Sequence, residues 1–530
     1  MENKFISHSK EVVNEFIQNI VFVDDRAYSE EKVAQDFDTS KVLSIFANEG
    51  KLCSVYTPSI IGGKDNFSKV LNKADAIVID WDMRTSPDKT ISLEQSVEIN
   101  NEEDDEEDAP EEDPRGEFAC DLIGDVVKGT EGIKVILIYT GDSKLRDISE
   151  SVRSCIKNAE YDAENLIISN DRIIVAVRAK YNDSTEQFKH TPELKKFIVK
   201  YEEIPQCIVD LYLKFTNGLM PNFALKSLSA IRTHTPKILS VFSKNLDMGY
   251  LVHKASMEFP EDAKNLLIHI FGDALGDLLM NVLPDTQSWT ESWVDTYITD
   301  SQKNINGVDI TRTRILKKQL LQQNSSQTDN FTSRLAQKLI EAIPGLNKSQ
   351  KHKLTSPTAD LSILFEVDMM DIEESNKQFA ILTHHKNIFL PLMSEPNLSL
   401  GTIVLDEHDS YFVCIQQRCD SVRINGERRF LFLPLEAEGK NPLLVRNGLK
   451  LCPCKDSYAI KTVKFCPKAG ETVIKASKDH KGYYFTSVHG ERFDWIVELK
   501  ELHAQRISHL YTTQLSRVGL DESEWLRTRR

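Results

Sequence analysis

The stretch NIVFVDDRAYSE, residues 19–30, places an apolar run directly before two adjacent aspartates, Asp24 and Asp25. The run from Ile20 to Val23 is typical of a strand that is buried on both faces of a parallel sheet. Two neighbouring carboxylates at the end of such a strand need a compensating cation or contact with water. The stretch therefore predicts a buried strand that ends in a charged site.

Further apolar runs in the first two hundred residues alternate with helical patterns, and this alternation predicts a parallel α/β unit. The last run is expected to hold the fifth strand, either as one piece or as two short pieces. A doubly wound parallel sheet with helices on both faces is the expected fold. The runs are KLCSVYTP, DAIVIDWDM, IKVILIYTGD and NLIISNDRIIVAVRAKYN.

Polar side chains end two of these later strands: Asp80, with Asp82 two residues on, and Thr140. The C-terminal ends of parallel strands lie at one edge of a sheet, so these side chains should approach Asp24 and Asp25. Three carboxylates at close range remain ionised when a divalent cation offsets their charge, and oxygen ligands suit Mg²⁺. One carboxylate can then attack a phosphoryl group, while a hydroxyl and a lysine contact the phosphoryl oxygens.

The ordered set VFVDD, IVIDWDM, ILIYTG and a later lysine resembles the response-regulator receiver domain of two-component signalling, over roughly residues 15–185. The resemblance implies a flavodoxin-like fold and phosphorylation of Asp80 by a histidine kinase. It also implies that Thr140 is the switch hydroxyl. The Mg²⁺ ligands that it implies are Asp24, Asp25, Asp80 and the backbone carbonyl of Asp82.

The chain departs from the receiver pattern at three places. Lys180 is the candidate for the lysine, but Tyr181 stands where the family has proline. Val177 occupies the position of the usual switch aromatic, and Arg84 follows Met83 where a proline is frequent. Phosphorylation is compatible with these departures, whereas signalling through an aromatic residue at position 177 is not expected.

Two alternatives to a phosphorylated receiver remain. The stretch VIDWD followed by VILIYT also resembles the first two motifs of haloacid-dehalogenase phosphatases, in which Asp80 would be the nucleophile and Asp82 the general acid. That family has a threonine where this chain has Arg84, and its acid pair follows the lysine instead of coming first. The order of the motifs therefore favours the receiver. The other alternative is a receiver-fold scaffold that binds partners without being phosphorylated.

Composition limits the kinds of partner and compartment. A formal net charge of −16 argues against broad binding to nucleic acid or to an anionic membrane. Apolar runs are shorter than the roughly 20 residues that span a bilayer, and the N-terminus lacks the pattern of a signal peptide. We therefore expect a cytoplasmic protein with its nine cysteines reduced. Cys452, Cys454 and Cys466 leave a zinc site open, with buried free thiols as the favoured alternative.

The predicted domain organisation follows from changes in composition and in secondary-structure pattern along the chain. An insertion is predicted at about residues 84–115, and its segment EEDDEEDAPEED should be a solvated, self-repelling loop. The pairing of a receiver with a long region that lacks a recognised effector resembles buffer-type receiver proteins of the Detocs phage-defence system. That resemblance implies a phosphate sink or regulator in bacterial antiphage defence, with a defence effector as partner. The predicted domains are residues 1–190, receiver-like; 191–395, mainly helical; and 396–530, β-rich with a final helix from about Asp494.

Overall fold

The computed structural model divides into two compact units, residues 1–300 with 313–323 and residues 301–312 with 324–530. The insertion predicted at about 84–115 lies outside the described residues. The described residues are 4–28, 37–58, 64–83, 116–130, 132–181, 192–257, 263–283, 301–312, 336–356 apart from 338, 342 and 344, 372–386, 394–437, 443–446, 449–454 and 459–515.

An eight-stranded sheet forms the centre of the first unit, and five neighbouring strands in the order β2-β1-β3-β4-β7 pair in parallel. This is the doubly wound order of flavodoxin-like folds, so the predicted fold class is confirmed. An antiparallel hairpin, β5–β6, extends the sheet beyond β7, and β8 pairs with the end of β7. The strands are β1 Asn19–Val23, β2 Leu52–Tyr56, β3 Ala76–Ile79, β4 Lys134–Thr140, β5 Glu160–Asp162, β6 Ile167–Ser169, β7 Ile173–Lys180 and β8 Ile198–Val199.

Helices cover both faces of this sheet because their apolar residues recur at helical spacing. In α5, for example, Leu145, Ile148 and Val152 are all buried. Helices α1, α2 and α6 pack on one face of the sheet, and α3, α4 and α5 pack on the other. The helices are α1 Lys4–Phe16, α2 Thr39–Asn48, α3 Lys64–Leu71, α4 Glu117–Gly129, α5 Leu145–Cys155, α6 Ile204–Thr216, α7 Leu219–Val241, α8 Asp247–Ser256 and α9 Ala263–Val282.

Gly116 directly precedes α4, and its backbone conformation requires glycine. Its φ is +87°, and a Cβ at this position would overlap the indole ring of Trp81. Glycine is therefore required both by the left-handed backbone and by the close approach. Since Trp81 directly follows Asp80, the start of α4 packs against the residue next to the end of β3.

Segments beyond residue 190 also pack on the sheet. Tyr139 donates a hydrogen bond to the carbonyl oxygen of Val199 in β8 at 2.8 Å. At the opposite end of the sheet, Arg232 of α7 contacts both carboxylate oxygens of Asp75 at 2.9 and 3.1 Å. The boundary at residue 190 stays a prediction, but β8, α6 and α7 are attached to the parallel sheet.

The second unit contains a nine-stranded sheet, so the predicted β-rich C-terminal region is confirmed. The middle region is helical as predicted, although it also contains an antiparallel hairpin, β9–β10. The elements are β9 Ser301–Ile305, β10 Val308–Arg312, α10 Lys348–Thr355, α11 Ile372–His384, β11 Thr402–Asp406, β12 Tyr411–Cys414, β13 Arg428–Glu436, β14 Leu444–Arg446, β15 Leu449–Pro453, β16 Lys461–Phe465, β17 Ser477–Asp479, β18 Gly482–Thr486, β19 Arg492–Glu498 and α12 Glu501–Leu515.

The final helix begins at Glu501, so its predicted start at about Asp494 is wrong. Residues from Arg492 to Glu498 instead form β19, which pairs antiparallel with β11. Trp495 lies opposite Val404 in this pairing. Aromatic and β-branched residues fit a half-buried strand well, and the adjacent strand supplies the backbone partners that a helix would otherwise supply internally.

Candidate functional site

The ends of β1 and β3 bring three aspartates together. The two strands are parallel neighbours, with Val23 opposite Ile79, so the residues that follow them stand side by side. The backbone N–H of Asp80 donates to the carbonyl oxygen of Val23 at 2.9 Å. One carboxylate oxygen from each of Asp24, Asp25 and Asp80 lies within 4.8 Å of the others. The convergence expected from strand topology is therefore present.

Lys180, at the end of β7, inserts its ammonium group between two of these carboxylates. Its Nζ lies 2.9 Å from Oδ2 of Asp24 and 2.9 Å from Oδ2 of Asp80. The three side chains are buried, with 6% of Lys180, 2% of Asp24 and 9% of Asp80 exposed. Because the site is shielded from water, the attraction between these charges is strong. Removing either the ammonium group or a carboxylate would leave an uncompensated buried charge.

Burial and charge act in opposite directions on Asp80. Burial raises the pKa of its carboxyl group to about 6, attraction to Lys180 opposes the rise, and the nearby Asp24 and Asp25 add to it. Burial alone would lower the pKa of Lys180, but its carboxylate partners Asp80 and Asp24 raise that pKa above its usual range. At neutral pH the site therefore holds an ionised Asp80 beside a firmly protonated lysine.

The carboxylate oxygen of Asp80 that Lys180 does not contact is Oδ1. This atom is buried and has no hydrogen-bond partner among the described residues. A buried carboxylate oxygen without a partner is unfavourable unless a ligand contacts it. Asp24, by contrast, accepts a hydrogen bond through Oδ1 from the backbone N–H of Arg26 at 2.9 Å. Three clustered carboxylates, of which Asp80 offers Oδ1 as a possible ligand atom, suit a hard divalent cation such as Mg²⁺.

Thr140 and Asp82 lie at the same edge of the sheet. Thr140 is fully buried at the end of β4, the strand between β3 and β7, and its Oγ1 accepts the backbone N–H of Asp142 at 3.1 Å. Asp82 is half-buried on the bend that follows β3. The switch role of Thr140 and the ligand role of the Asp82 carbonyl stay predictions.

Sequence reasoning missed an aromatic cluster beside the lysine. The Nζ of Lys180 lies 5.7 Å from the ring centroid of Phe37, which meets Tyr201 edge-on at 6.1 Å. Tyr201 in turn packs edge-on against Tyr139 at 5.8 Å. Val177, at the position of the usual switch aromatic, is instead buried in the core. No sequence signal marks this cluster, because its members come from three distant segments.

Cys452, Cys454 and Cys466 do not form a cluster of metal ligands. Cys452 and Cys454 are buried, whereas Cys466 is exposed. Within the described ranges, Asp24, Asp25 and Asp80 are the one group of three or more acidic, cysteine or histidine residues close enough to share an ion. Among the same residues, no helix has both the length and the apolar character needed to cross a membrane.

Comparison with known families agrees with the fold of the N-terminal region. Residues 16–185 match the family model described as "Response receiver domain". This part of the chain is a response-regulator receiver domain, as its ordered motifs predicted. No curated protein and no solved structure gave a significant match. A receiver domain implies a phosphoacceptor role and a partner of the histidine-kinase type, and receiver domains generally bind Mg²⁺ at an acidic cluster.

Proposed function

We propose that this protein accepts a phosphoryl group from a histidine kinase onto Asp80. The observation that carries the proposal is the buried Oδ1 of Asp80, which has no hydrogen-bond partner among the described residues while Oδ2 is held by Lys180. An oxygen that is ionised, positioned and free of hydrogen bonds is prepared for nucleophilic attack.

The chemistry assigns a task to each side chain. Oδ1 of Asp80 attacks the phosphorus of a phosphohistidine whose other ring nitrogen carries a proton, the P–N bond breaks, and neutral imidazole leaves, which gives an acyl phosphate. Lys180 holds the other oxygen of Asp80 during the attack. The hydroxyl of Thr140 donates a hydrogen bond to a phosphoryl oxygen as negative charge gathers there.

Asp24, Asp25 and Asp80 would hold Mg²⁺, with the backbone carbonyl of Asp82 as a further ligand. When bound, the ion would offset the negative charge of the carboxylates and of the incoming phosphoryl oxygens. Lys180 pairs with both Asp24 and Asp80 and offsets one of these two carboxylate charges, so net negative charge is left on the pair for a divalent cation to compensate.

Beryllofluoride, which resembles an aspartate-bound phosphoryl group, tests the proposal. With Mg²⁺ it should raise the melting temperature of the full chain and leave that of Asp80→Asn unchanged. Asp75→Asn is the matched control, because Asp75 is a buried aspartate at the other end of β3 and should retain the upward shift. Intact mass after incubation with acetyl phosphate should show one phosphoryl group that is lost in Asp80→Asn.

A receiver-fold scaffold is the second candidate, and one observation favours it. Because Lys180 is already paired with Asp24 and Asp80, the site can persist without an ion. A scaffold would show no melting shift with Mg²⁺ and beryllofluoride and no added phosphoryl group. A haloacid-dehalogenase-like phosphatase would instead hydrolyse p-nitrophenyl phosphate through many turnovers.

At the level of the whole chain, we propose a cytoplasmic phosphate sink or regulator in bacterial antiphage defence, with a defence effector as partner. The family match ends at residue 185, and the long region beyond it then binds partners instead of carrying out an output reaction. Domain boundaries near residues 190 and 395 are part of this proposal. A sink should remove radiolabelled phosphate from an autophosphorylated partner kinase faster than the kinase labels its effector, whereas Asp80→Asn should leave the label on the kinase.

A further inference from the structure

Two cysteines on neighbouring helices of the receiver domain meet at one carbonyl group. Cys120 lies in the first turns of α4, and Cys155 is the last residue of α5. The Sγ atoms of Cys120 and Cys155 lie 3.9 and 3.3 Å, respectively, from the carbonyl oxygen of Ser151. Both residues are half-buried, so a small reagent can reach them.

The pair has the electronic character of a reactive dithiol. A hydrogen bond from the Cys120 thiol lowers the pKa of Cys155 to about 7, although burial opposes this effect. The same interaction raises the pKa of Cys120. The lowered pKa increases the share of Cys155 that is thiolate, the form that reacts with electrophiles, and a second thiol lies beside it.

Other cysteines of the chain lack this combination. Burial raises the pKa of Cys53 to about 12 and that of Cys414 to about 12, which keeps both as unreactive thiols. Cys419 and Cys466 are exposed and serve as accessible reference thiols. Cys120 and Cys155 are close together and partly exposed, and Cys155 has thiolate character as well.

We propose that Cys120 and Cys155 are a redox modification site, which a hydroperoxide closes to a disulfide between α4 and α5. The Cys155 thiolate attacks the peroxide, the O–O bond breaks, and the alkoxide (hydroxide, for hydrogen peroxide) leaves and takes up from water the proton that Cys155 had released, which gives a sulfenic acid on Cys155. The sulfur of Cys120 then attacks the sulfur of Cys155 and expels hydroxide, which takes the Cys120 proton and leaves as water. Two thiols are oxidised and one peroxide is reduced.

The bridge would join the helices that follow the phosphoacceptor strand and the Thr140 strand. Helix α4 starts at Glu117, against Trp81, and α5 starts at Leu145, shortly after Thr140. Its effect on phosphorylation rests on the proposed function. Formation of the bridge itself does not, because it can be measured without any phosphoryl donor.

Peptide mapping tests bridge formation directly. The full chain is treated with hydrogen peroxide, trapped with N-ethylmaleimide and digested with trypsin without reductant. The expected product is GEFACDLIGDVVK, residues 116–128, linked to SCIK, residues 154–157, with two hydrogen atoms fewer than the separate peptides. Cys120→Ser must abolish this product, whereas Cys419→Ser, the same change at an exposed cysteine, must leave it.

Alkylation rates test the role of Cys120 as hydrogen-bond donor. In Cys120→Ala the pKa of Cys155 should return toward its ordinary value, so at pH 7 alkylation should slow roughly five-fold, since a much smaller thiolate fraction is partly offset by a stronger nucleophile. Cys120→Ser keeps a donor and should preserve most of the rate.

Specific results would overturn the inference. These are oxidation of Cys155 to sulfinic or sulfonic acid without any linked peptide, or linkage of Cys120 and Cys155 only between two chains. Equal alkylation rates for Cys155 and Cys419 in the wild type would also contradict it. A peroxide-dependent link combined with failed beryllofluoride binding would uphold this inference and reject the proposed function.

Discussion

Replacing Lys180 by methionine should destabilise the receiver domain and make its stability depend on Mg²⁺. Methionine retains much of the volume of the side chain but removes the charge that lies 2.9 Å from both Asp24 and Asp80. Removing one partner of a buried ion pair costs about 3–5 kcal/mol, because the remaining charge is left buried. We therefore expect the free energy of unfolding in EDTA to fall by about that amount.

Mg²⁺ should restore part of this loss. Without Lys180, a bound cation can offset the charges of Asp24 and Asp80, so the variant should bind Mg²⁺ more tightly than the wild type does. A ligand present at 100 times its dissociation constant stabilises the folded state by about 2.7 kcal/mol. Urea unfolding at pH 7.5, in EDTA and in a series of Mg²⁺ concentrations, measures both effects from the shift of the transition midpoint.

Lys134→Met is the matched control for this experiment. Lys134 is as buried as Lys180, but its Nζ donates to the carbonyl oxygens of Leu71, Asn72 and Ala74. This variant should also lose stability, and Mg²⁺ should affect it no more than it affects the wild type. Equal Mg²⁺ responses in the two variants, or a Lys180→Met protein as stable as wild type in EDTA, would refute the electrostatic reasoning.

Two further changes test other parts of the structure. Gly116→Ala should lower the free energy of unfolding by about 2–4 kcal/mol, since it strains a left-handed backbone and displaces Trp81. Gly124→Ala is the control in the same urea series. A Cβ has open space at that position, so the change should be neutral or stabilising. The ring of His503 stacks on that of His384, with 3.9 Å between the ring centroids. Burial lowers the pKa of His503 to about 4. The unfolded chain therefore takes up a proton first as pH falls from about 6.5 to 4, so stability should decrease over that window, and His503→Gln should flatten the decrease in thermal melts.

Local patterns were sufficient to predict the acidic part of the site. Asp24, Asp25, Asp80 and Thr140 each stand at the end of an apolar run, and the topology of parallel strands places such ends at one edge. Lys180 could be selected by its place at the end of the last strand even though Tyr181 follows it. In each case the deciding information lies within a few residues of the functional group.

Long-range packing around the site could not be predicted in the same way. The backbone N–H of Asp38 donates to the hydroxyl oxygen of Tyr201 at 3.2 Å, across 163 positions of sequence. This contact and the ring of Phe37 depend on β8 pairing with the end of β7, and β8 has only two residues. So short a strand carries no periodicity from which its pairing can be predicted.

The error at the final helix has a related physical cause. The segment around FDWIVELK has apolar residues at spacings that fit a strand as well as a helix, so its sequence does not distinguish the two. Pairing with β11 decides in favour of the strand up to Glu498. The helix begins where that pairing ends, at Glu501, and its buried residues Ala504 and Ile507 then recur at helical spacing.

The sequence motifs likewise did not predict the charge balance of the site, which bears most directly on function. Asp24 and Asp80 bring two buried carboxylates to one edge of the sheet, and Lys180 pairs with both through their Oδ2 atoms. One lysine offsets one of these two charges, so the three side chains together retain net negative charge in a region of low dielectric, where such charge is costly. A divalent cation removes this excess, and it also offsets the further negative charge that a phosphoryl group brings. For this reason phosphorylation of Asp80 should require Mg²⁺ even though Lys180 is already in place.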